Sequence, residues 1–203
     1  MENDRSTLLP MTTQTPPNVQ DKILQTAETL IYRVGIHAMG MDLLVRTSGV
    51  ARKSIYRYFA TKDEIAAQAL SARDIRWMQW FRTEADKAET PEERILGMFT
   101  VLTGWFESEG FRGCAFINTA GEIGDPEDPV RLIAKDHKQK LLDYVLELCE
   151  QLPASAPEAL ARQLLILIDG AITQALVMGD HAAANDAREV ARLLLKAASR
   201  STP

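Results

Sequence analysis

The amino-acid sequence predicts an all-α protein of about nine helices. Three observations lead there: apolar residues recur every three or four positions rather than every two, hydroxyl residues stand three positions before carboxylates at several segment starts, and Gly or Asn-Asp breaks fall between the periodic segments. The expected architecture is an N-terminal three-helix head containing a helix-turn-helix, followed by a larger helical body. The expected boundaries are a disordered tail over residues 1–17, the head over 18–64 and the body over 65–203.

The first helix is marked by the stripe Val19, Ile23, Ala27, Leu30, Ile31 and Val34, with Asn18 as N-cap and Gly35 ending it in a left-handed conformation. Later starts are marked by Thr61-Lys62-Asp63-Glu64, Thr90-Pro91-Glu92-Glu93 and Ser155-Ala156-Pro157-Glu158, each with the spacing of a capping box. Another helix begins at Asp125-Pro126 or Asp128-Pro129, and Gly179 with Asn185 and Asp186 separates the last two.

Composition narrows the function classes. Hydrophobic residues make up 46% of the chain and charged residues 25%, as expected for a folded globular protein. The strongly apolar run 164–168 is closed by Asp169, so no membrane span is expected; residues 1–17 lack the apolar core of a secretory signal, which predicts a cytoplasmic chain. Cys114 and Cys149 lie far apart without a CxxC or a suitably spaced His, so neither a metal site nor a disulfide framework is expected, and no cofactor. The formal net charge of -5 is unevenly spread: residues 18–70 hold seven Lys or Arg against five Asp or Glu, whereas 71–203 hold 15 against 21. The positive excess sits in the head, where a nucleic-acid surface would need it.

Between Met39 and Phe59 the sequence has the proportions of a helix-turn-helix: a short helix over 42–47, a turn at Ser48-Gly49-Val50, and a second short helix over 51–58. Gly49 suits a turn position of positive φ, and Leu44, Val50, Ile55 and Phe59 provide apolar contacts toward the first helix. The other face of the second helix offers Arg52, Lys53, Ser54, Tyr56, Arg57 and Tyr58. These combine cations for phosphates with forked and hydroxyl donors for base edges.

The run Gly49-Val50-Ala51-Arg52-Lys53-Ser54-Ile55-Tyr56-Arg57-Tyr58-Phe59-Ala60-Thr61-Lys62-Asp63-Glu64 resembles the head of the TetR (tetracycline-repressor-like) family of bacterial regulators, in which a Gly-Val pair precedes Leu-Tyr-x-x-Phe-x-x-Lys-Glu. The resemblance implies that Tyr56 and Lys62 grip phosphates, Lys62 from the positive N-terminal end of helix four. It also implies that Arg52, Lys53, Ser54 and Arg57 face the groove, with Arg52 and Arg57 reading bases. Met39-Gly40, Ala51 and Ala60 depart from the Thr-Ser, Ser and Pro frequent at those places, and Ala is a weaker N-cap than Ser by about 1 kcal/mol.

A looser resemblance covers Arg112-Gly113-Cys114-Ala115-Phe116-Ile117-Asn118, then Glu122, Asp125-Pro126 and His137-Lys138. It implies a helical body that binds a small-molecule effector. Cys114, Asn118 and Glu122 share a helix face, and His137 lies on the stripe containing Leu141, so these are candidate polar points of a pocket. Trp77, Phe81, Trp105 and Ile117 are candidate apolar lining. The helix over 157–178 is apolar nearly all round and is expected to be covered by both the body and a second copy of the chain. Leu164, Ile168, Ala171 and Ala175, with Val190 and Leu194 of the last helix, are the expected homodimer contacts.

These readings converge on a sequence-specific, DNA-binding transcriptional regulator that is not an enzyme. It is expected to act as a repressor on palindromic double-stranded operator DNA and to be released by an unknown small-molecule effector. The alternative trigger is cysteine oxidation or a protein partner acting through the same head. A more distant alternative is an enzyme with Cys114 as nucleophile and His137 as base.

Overall fold

The computed structural model describes residues 18–200, with side chains to Ser199. Among the described residues there are nine α-helices and no strands: α1 (Val19–Val34), α2 (Met41–Ser48), α3 (Arg52–Tyr58), α4 (Lys62–Ala85), α5 (Pro91–Phe106), α6 (Ala115–Glu122), α7 (Pro129–Cys149), α8 (Pro157–Met178) and α9 (Ala183–Arg200). The expectation of disorder for residues 1–17 lies outside the described residues. Two compact units are present. One comprises 18–76 with 114–137; the other comprises 77–113 with 138–200. The helices of the head therefore share their unit with the first part of α4, with α6 and with the first part of α7.

In the first unit, α2 and α3 pack on α1. Ile23 and Ala27 from α1, Leu44 from α2 and Ile55 from α3 are fully buried, and Phe59 just beyond α3 is 1% exposed. Met39 is also fully buried, so it serves the core rather than the surface. The turn between α2 and α3 depends on Gly49, whose φ of 66° and ψ of 12° place it in the left-handed region, with its N–H donated to the Val45 carbonyl. Ser48 Oγ, buried beside it, accepts the Val50 N–H at 3.2 Å and so satisfies an amide that the turn removes from water.

In the second unit, α8 packs on α9 and both pack on α5. Ile95, Met98, Phe99 and Leu102 of α5 meet a core that includes Leu164 and Ile168 of α8 and Ala191 and Leu195 of α9. Although α8 is long and apolar enough by composition to cross a membrane, one face of it, carrying Leu160, Ala161, Leu164, Ile168, Ala171, Ile172 and Ala175, is buried against protein.

The helix starts follow the expected chemistry with informative exceptions. Asn18 Oδ1 accepts the Asp21 N–H at 2.9 Å. Thr90 and Glu93 form a complete capping box ahead of α5. Thr61 Oγ1 accepts the Glu64 N–H at 3.0 Å, but Glu64 reaches back one residue further than a standard box, to the Ala60 N–H at 2.7 Å. The box expected at Ser155 does not form: Ala156 is the N-cap and no side chain caps α8. With Pro157 at the first helical position, Ser155 lies one residue too early to reach the open amides. Of the two Asp-Pro pairs, Asp128 begins α7, its carboxylate accepting the Val130 N–H at 2.8 Å, whereas Asp125 organises the preceding turn by accepting the Glu127 N–H at 2.9 Å. Gly35 also differs from expectation. Its φ of 90° is positive, but its ψ of 163° is extended rather than left-handed.

The capping geometry makes a direct prediction. Thr90→Ala should lower unfolding free energy by about 1 kcal/mol, whereas Ser155→Ala should leave it unchanged within about 0.5 kcal/mol. Urea denaturation followed by circular dichroism measures both; equal losses would contradict the cap assignments.

Candidate nucleic-acid interface

The chemistry of α3 follows from how its seven residues are divided. Ile55 turns inward, while Arg52, Lys53, Tyr56, Arg57 and Tyr58 are exposed and Ser54 is half-buried. Two tyrosines left 47% and 46% exposed on a short basic helix are unusual for a merely solvated face. Such rings can lie against sugar and phosphate while the hydroxyls hydrogen-bond, and cations so placed can attract a polyanion.

Arg52 is ion-paired with Asp42 of α2, whose side chain is 92% exposed. The pair orients one guanidinium at the entry to α3 and puts an acidic group on an otherwise basic surface. Lys62, half-buried at the first position of α4, donates from Nζ to the Ile36 carbonyl at 3.4 Å. The α1–α2 turn thus meets the cation that the family resemblance implies for phosphate.

Contacts from α4 hold α1 in place. Glu28 accepts Arg73 Nη1 at 3.0 Å and is also paired with Arg76; Arg73 in turn lies 4.0 Å from the centroid of the Tyr32 ring. Arg73 and Glu28 are nearly enclosed, at 11% and 13% side-chain exposure, so this is a shielded, charge-assisted link rather than a surface pair. Sequence periodicity marks the buried stripe of α1 and gives no sign of this partnership, because its members are 45 positions apart.

The residues named as effector contacts fall into both compact units. In one, Trp77 stacks on Phe81 at 4.7 Å between centroids and meets the edge of Trp105 at 5.7 Å; Phe81 and Leu141 are fully buried. In the other, Cys114 is buried just ahead of α6, Ile117 and Asn118 are half-buried on it, and His137 is 1% exposed. His137 Nδ1 lies 2.7 Å from Asp74 Oδ1, and its ring stacks on Phe116 at 3.8 Å. Phe116 and Asp74 complete this buried cluster and were not singled out from sequence. Glu122, which shares the α6 face of Cys114 and Asn118, has its carboxylate on backbone amides of the α1–α2 turn.

Both thiols are buried. Burial pushes the Cys149 thiol up to about 12, with the Glu150 charge adding to the effect. The Tyr144 phenol is raised in the same direction, first by burial and then by its hydrogen bond to Asp86 at 2.9 Å. Among the described residues no group of three or more His, Cys, Asp or Glu is arranged to hold a metal ion.

On α8 there are two apolar stripes facing different ways. Leu164, Ile168, Ala171 and Ala175 lie inside the protomer, none more than 4% exposed, and so offer no surface to a second copy. Two residues round the helix, Ile166 and Val177 are 70% and 71% exposed, with Gly170 and Thr173 on the same outward line. On α9, Val190 and Leu193 are 43% and 66% exposed and Leu194 is half-buried.

Residues 23–69 match the family model described as bacterial regulatory proteins, tetR family, and residues 91–191 match the tetracyclin repressor-like C-terminal domain. The HTH-type transcriptional regulator YjdC of Escherichia coli is 23% identical over 178 residues, covering 87% of this chain and 93% of that protein. The crystal structure of a TetR-type transcriptional regulator from Streptomyces avermitilis is 30% identical, with a TM-score of 0.82 over 90% of this chain and 98% of its own. A TetR-family regulator from Streptomyces coelicolor is 28% identical, with a TM-score of 0.83 over 89% and 96%. With a helix-turn-helix whose outer face is basic, family models matching both head and body, and a 30% identical structure aligned over nearly its whole length, the chain belongs to the TetR family of bacterial transcriptional regulators.

Proposed function

We propose that this regulator is a homodimeric repressor that reads an inverted-repeat operator with two copies of α3 and leaves it when a small molecule binds the body. The observation that carries the reading is the exposed face of α3, where Arg52, Lys53, Tyr56, Arg57 and Tyr58 stand over a buried Ile55. Arg57 is assigned to base reading because a guanidinium can pair bidentately with guanine. Arg52, steadied by Asp42, is the second reader. Lys62 and Tyr56 hold phosphates, which add affinity without sequence information.

The dimer surface in this proposal is the outward stripe of α8, Ile166, Gly170, Thr173 and Val177, together with Val190 and Leu193 of α9. Large aliphatic side chains left in water along two helices favour association by removal of apolar area, and Gly170 lets a second backbone approach closely. Two-fold pairing then gives two α3 helices related by the symmetry of an inverted repeat.

Effector contact is assigned to two groups, each taken within its own unit: Trp77, Phe81 and Trp105 with Leu141 in one, and Cys114, Ile117, Asn118 and His137 in the other. A small-molecule trigger is favoured over oxidation of Cys149, since a thiol raised to about 12 holds almost no thiolate near neutrality, and the thiolate is the reactive form.

Selection of the purified protein against random duplex DNA should enrich an inverted repeat. Arg57→Ala should relax preference at one position per half-site by about 1–3 kcal/mol, while Lys62→Ala should weaken all sites alike and reduce the salt slope by about 1. Retention without a motif, lost at high salt, would leave only phosphate attraction and overturn the reading. Ile166→Asp with Leu193→Asp should convert the dimer to a helical monomer in sedimentation experiments; a persistent dimer would move the interface elsewhere. Cys149 should react with thiol reagents at pH 8 only on the timescale of unfolding. Since its folded-state thiol is raised from 9.0 to about 12, its contribution to stability is present below pH 9 and is lost as pH rises from there toward 12, with a limiting slope of about 1.4 kcal/mol per pH unit. Cys149→Ala should remove that slope component and leave the one due to Tyr144.

A further inference from the structure

Glu122 is the last residue of α6, the end of a helix where a carboxylate is electrostatically disfavoured by the helix dipole. Its charge is satisfied elsewhere. Oε1 accepts the Ile36 N–H at 3.2 Å and Oε2 accepts the His37 N–H at 3.0 Å. The contact is reciprocal, because His37 Nε2 lies 2.9 Å from the Glu122 backbone carbonyl. Two successive amides converging on one anion form a backbone nest, and this one lies in the turn that joins α1 to α2.

The backbone before the nest is shaped for it. Gly35 takes φ 90° and ψ 163°, a region essentially restricted to glycine. A Cβ at Gly35 would stand 2.5 Å from Glu122 Oε1 and 2.9 Å from Oε2. The dihedral angles require glycine here, and a Cβ would in addition push the carboxylate from the position in which it meets both amides. On the other side of the same peptide segment, the Ile36 carbonyl accepts Lys62 Nζ at 3.4 Å. Ile36 is thus held through its N–H by α6 and through its C=O by the first residue of α4, while its own side chain is 3% exposed.

We propose that Glu122 is a positioning residue for DNA binding: its carboxylate seats the α1–α2 turn and thereby sets the place of α2 and of Lys62, without itself meeting DNA. The assignment rests on the DNA-reading function proposed above. It has a consequence of unusual sign. Neutralising an acidic residue ordinarily strengthens attraction for a polyanion. Replacement of Glu122 by Gln should weaken operator binding, because an amide can accept from only one of the two N–H groups and turns its own NH2 toward the other.

The test uses the full-length chain and an operator selected by the wild-type protein. Glu122→Gln and Glu122→Asp are compared; the first removes charge at constant shape, and the second keeps the charge but withdraws it by one methylene. Both should lower operator affinity by roughly tenfold, as loss of a charge-assisted hydrogen bond does, and both should speed hydrogen exchange at the Ile36 and His37 amides. A structural role alone would lower the melting temperature while leaving the affinity of the folded protein intact. Unchanged or tighter binding by folded Glu122→Gln, or preserved protection of those two amides, overturns the assignment. If Glu122→Gln does not fold, the Glu122→Asp result decides by the same criteria. A wild-type protein that selects no motif overturns the DNA reading itself, and the assignment with it; a wild-type motif bound equally well by both variants overturns only the role of Glu122.

Discussion

A helix of seven residues does not persist in water by itself, because the cost of nucleating its first turn exceeds what so few hydrogen bonds return. The form of α3 therefore depends on the burial of Ile55 and, just beyond it, Phe59, in the unit that contains α1 and α2. That burial also decides what the helix displays. With Ile55 inward, the residues flanking it are rotated toward solvent, and five of them are Arg, Lys or Tyr. The apolar anchor and the polar surface are two results of one helical period.

The same unit holds its parts together with polar links, some shielded and some at the surface. Glu28, Arg73, Arg76 and Tyr32 join α1 to α4, and Glu122 joins α6 to the turn after α1. Polar links require particular geometry, and where the pair is enclosed, as Arg73–Glu28 and His137–Asp74 are, losing one partner leaves the other buried and unsatisfied. They make the position of the head sensitive to single atoms at places where an apolar interface would tolerate small slippage. The His137–Asp74 pair with Phe116 stacked against it is built on the same principle.

The second unit follows a different logic. Its aromatic group and the buried faces of α5, α8 and α9 form a conventional apolar core, and its most consequential feature is that α8 is apolar on two sides. The protomer covers the side carrying Leu164 and Ile168 and leaves Ile166 and Val177 in solvent.

By itself, the sequence determined the number and kind of elements, the position of the helix-turn-helix, the residues that α3 turns outward and the starts of α1, α4 and α5. Each of these is set by local periodicity or by side chains within four residues of the backbone they cap, so it is present in the order of the residues. Tertiary structure alone decided which stripe of α8 is interior, since periodicity separates the two faces and is silent on which one meets the protomer. It likewise decided that Ser155 is a residue too early to cap, that Gly35 adopts an extended ψ, and that the Glu122 carboxylate meets the amides of the α1–α2 turn. Glu122 and Ile36 are 86 positions apart, and no local preference reports a contact that exists only once the chain has folded back on itself.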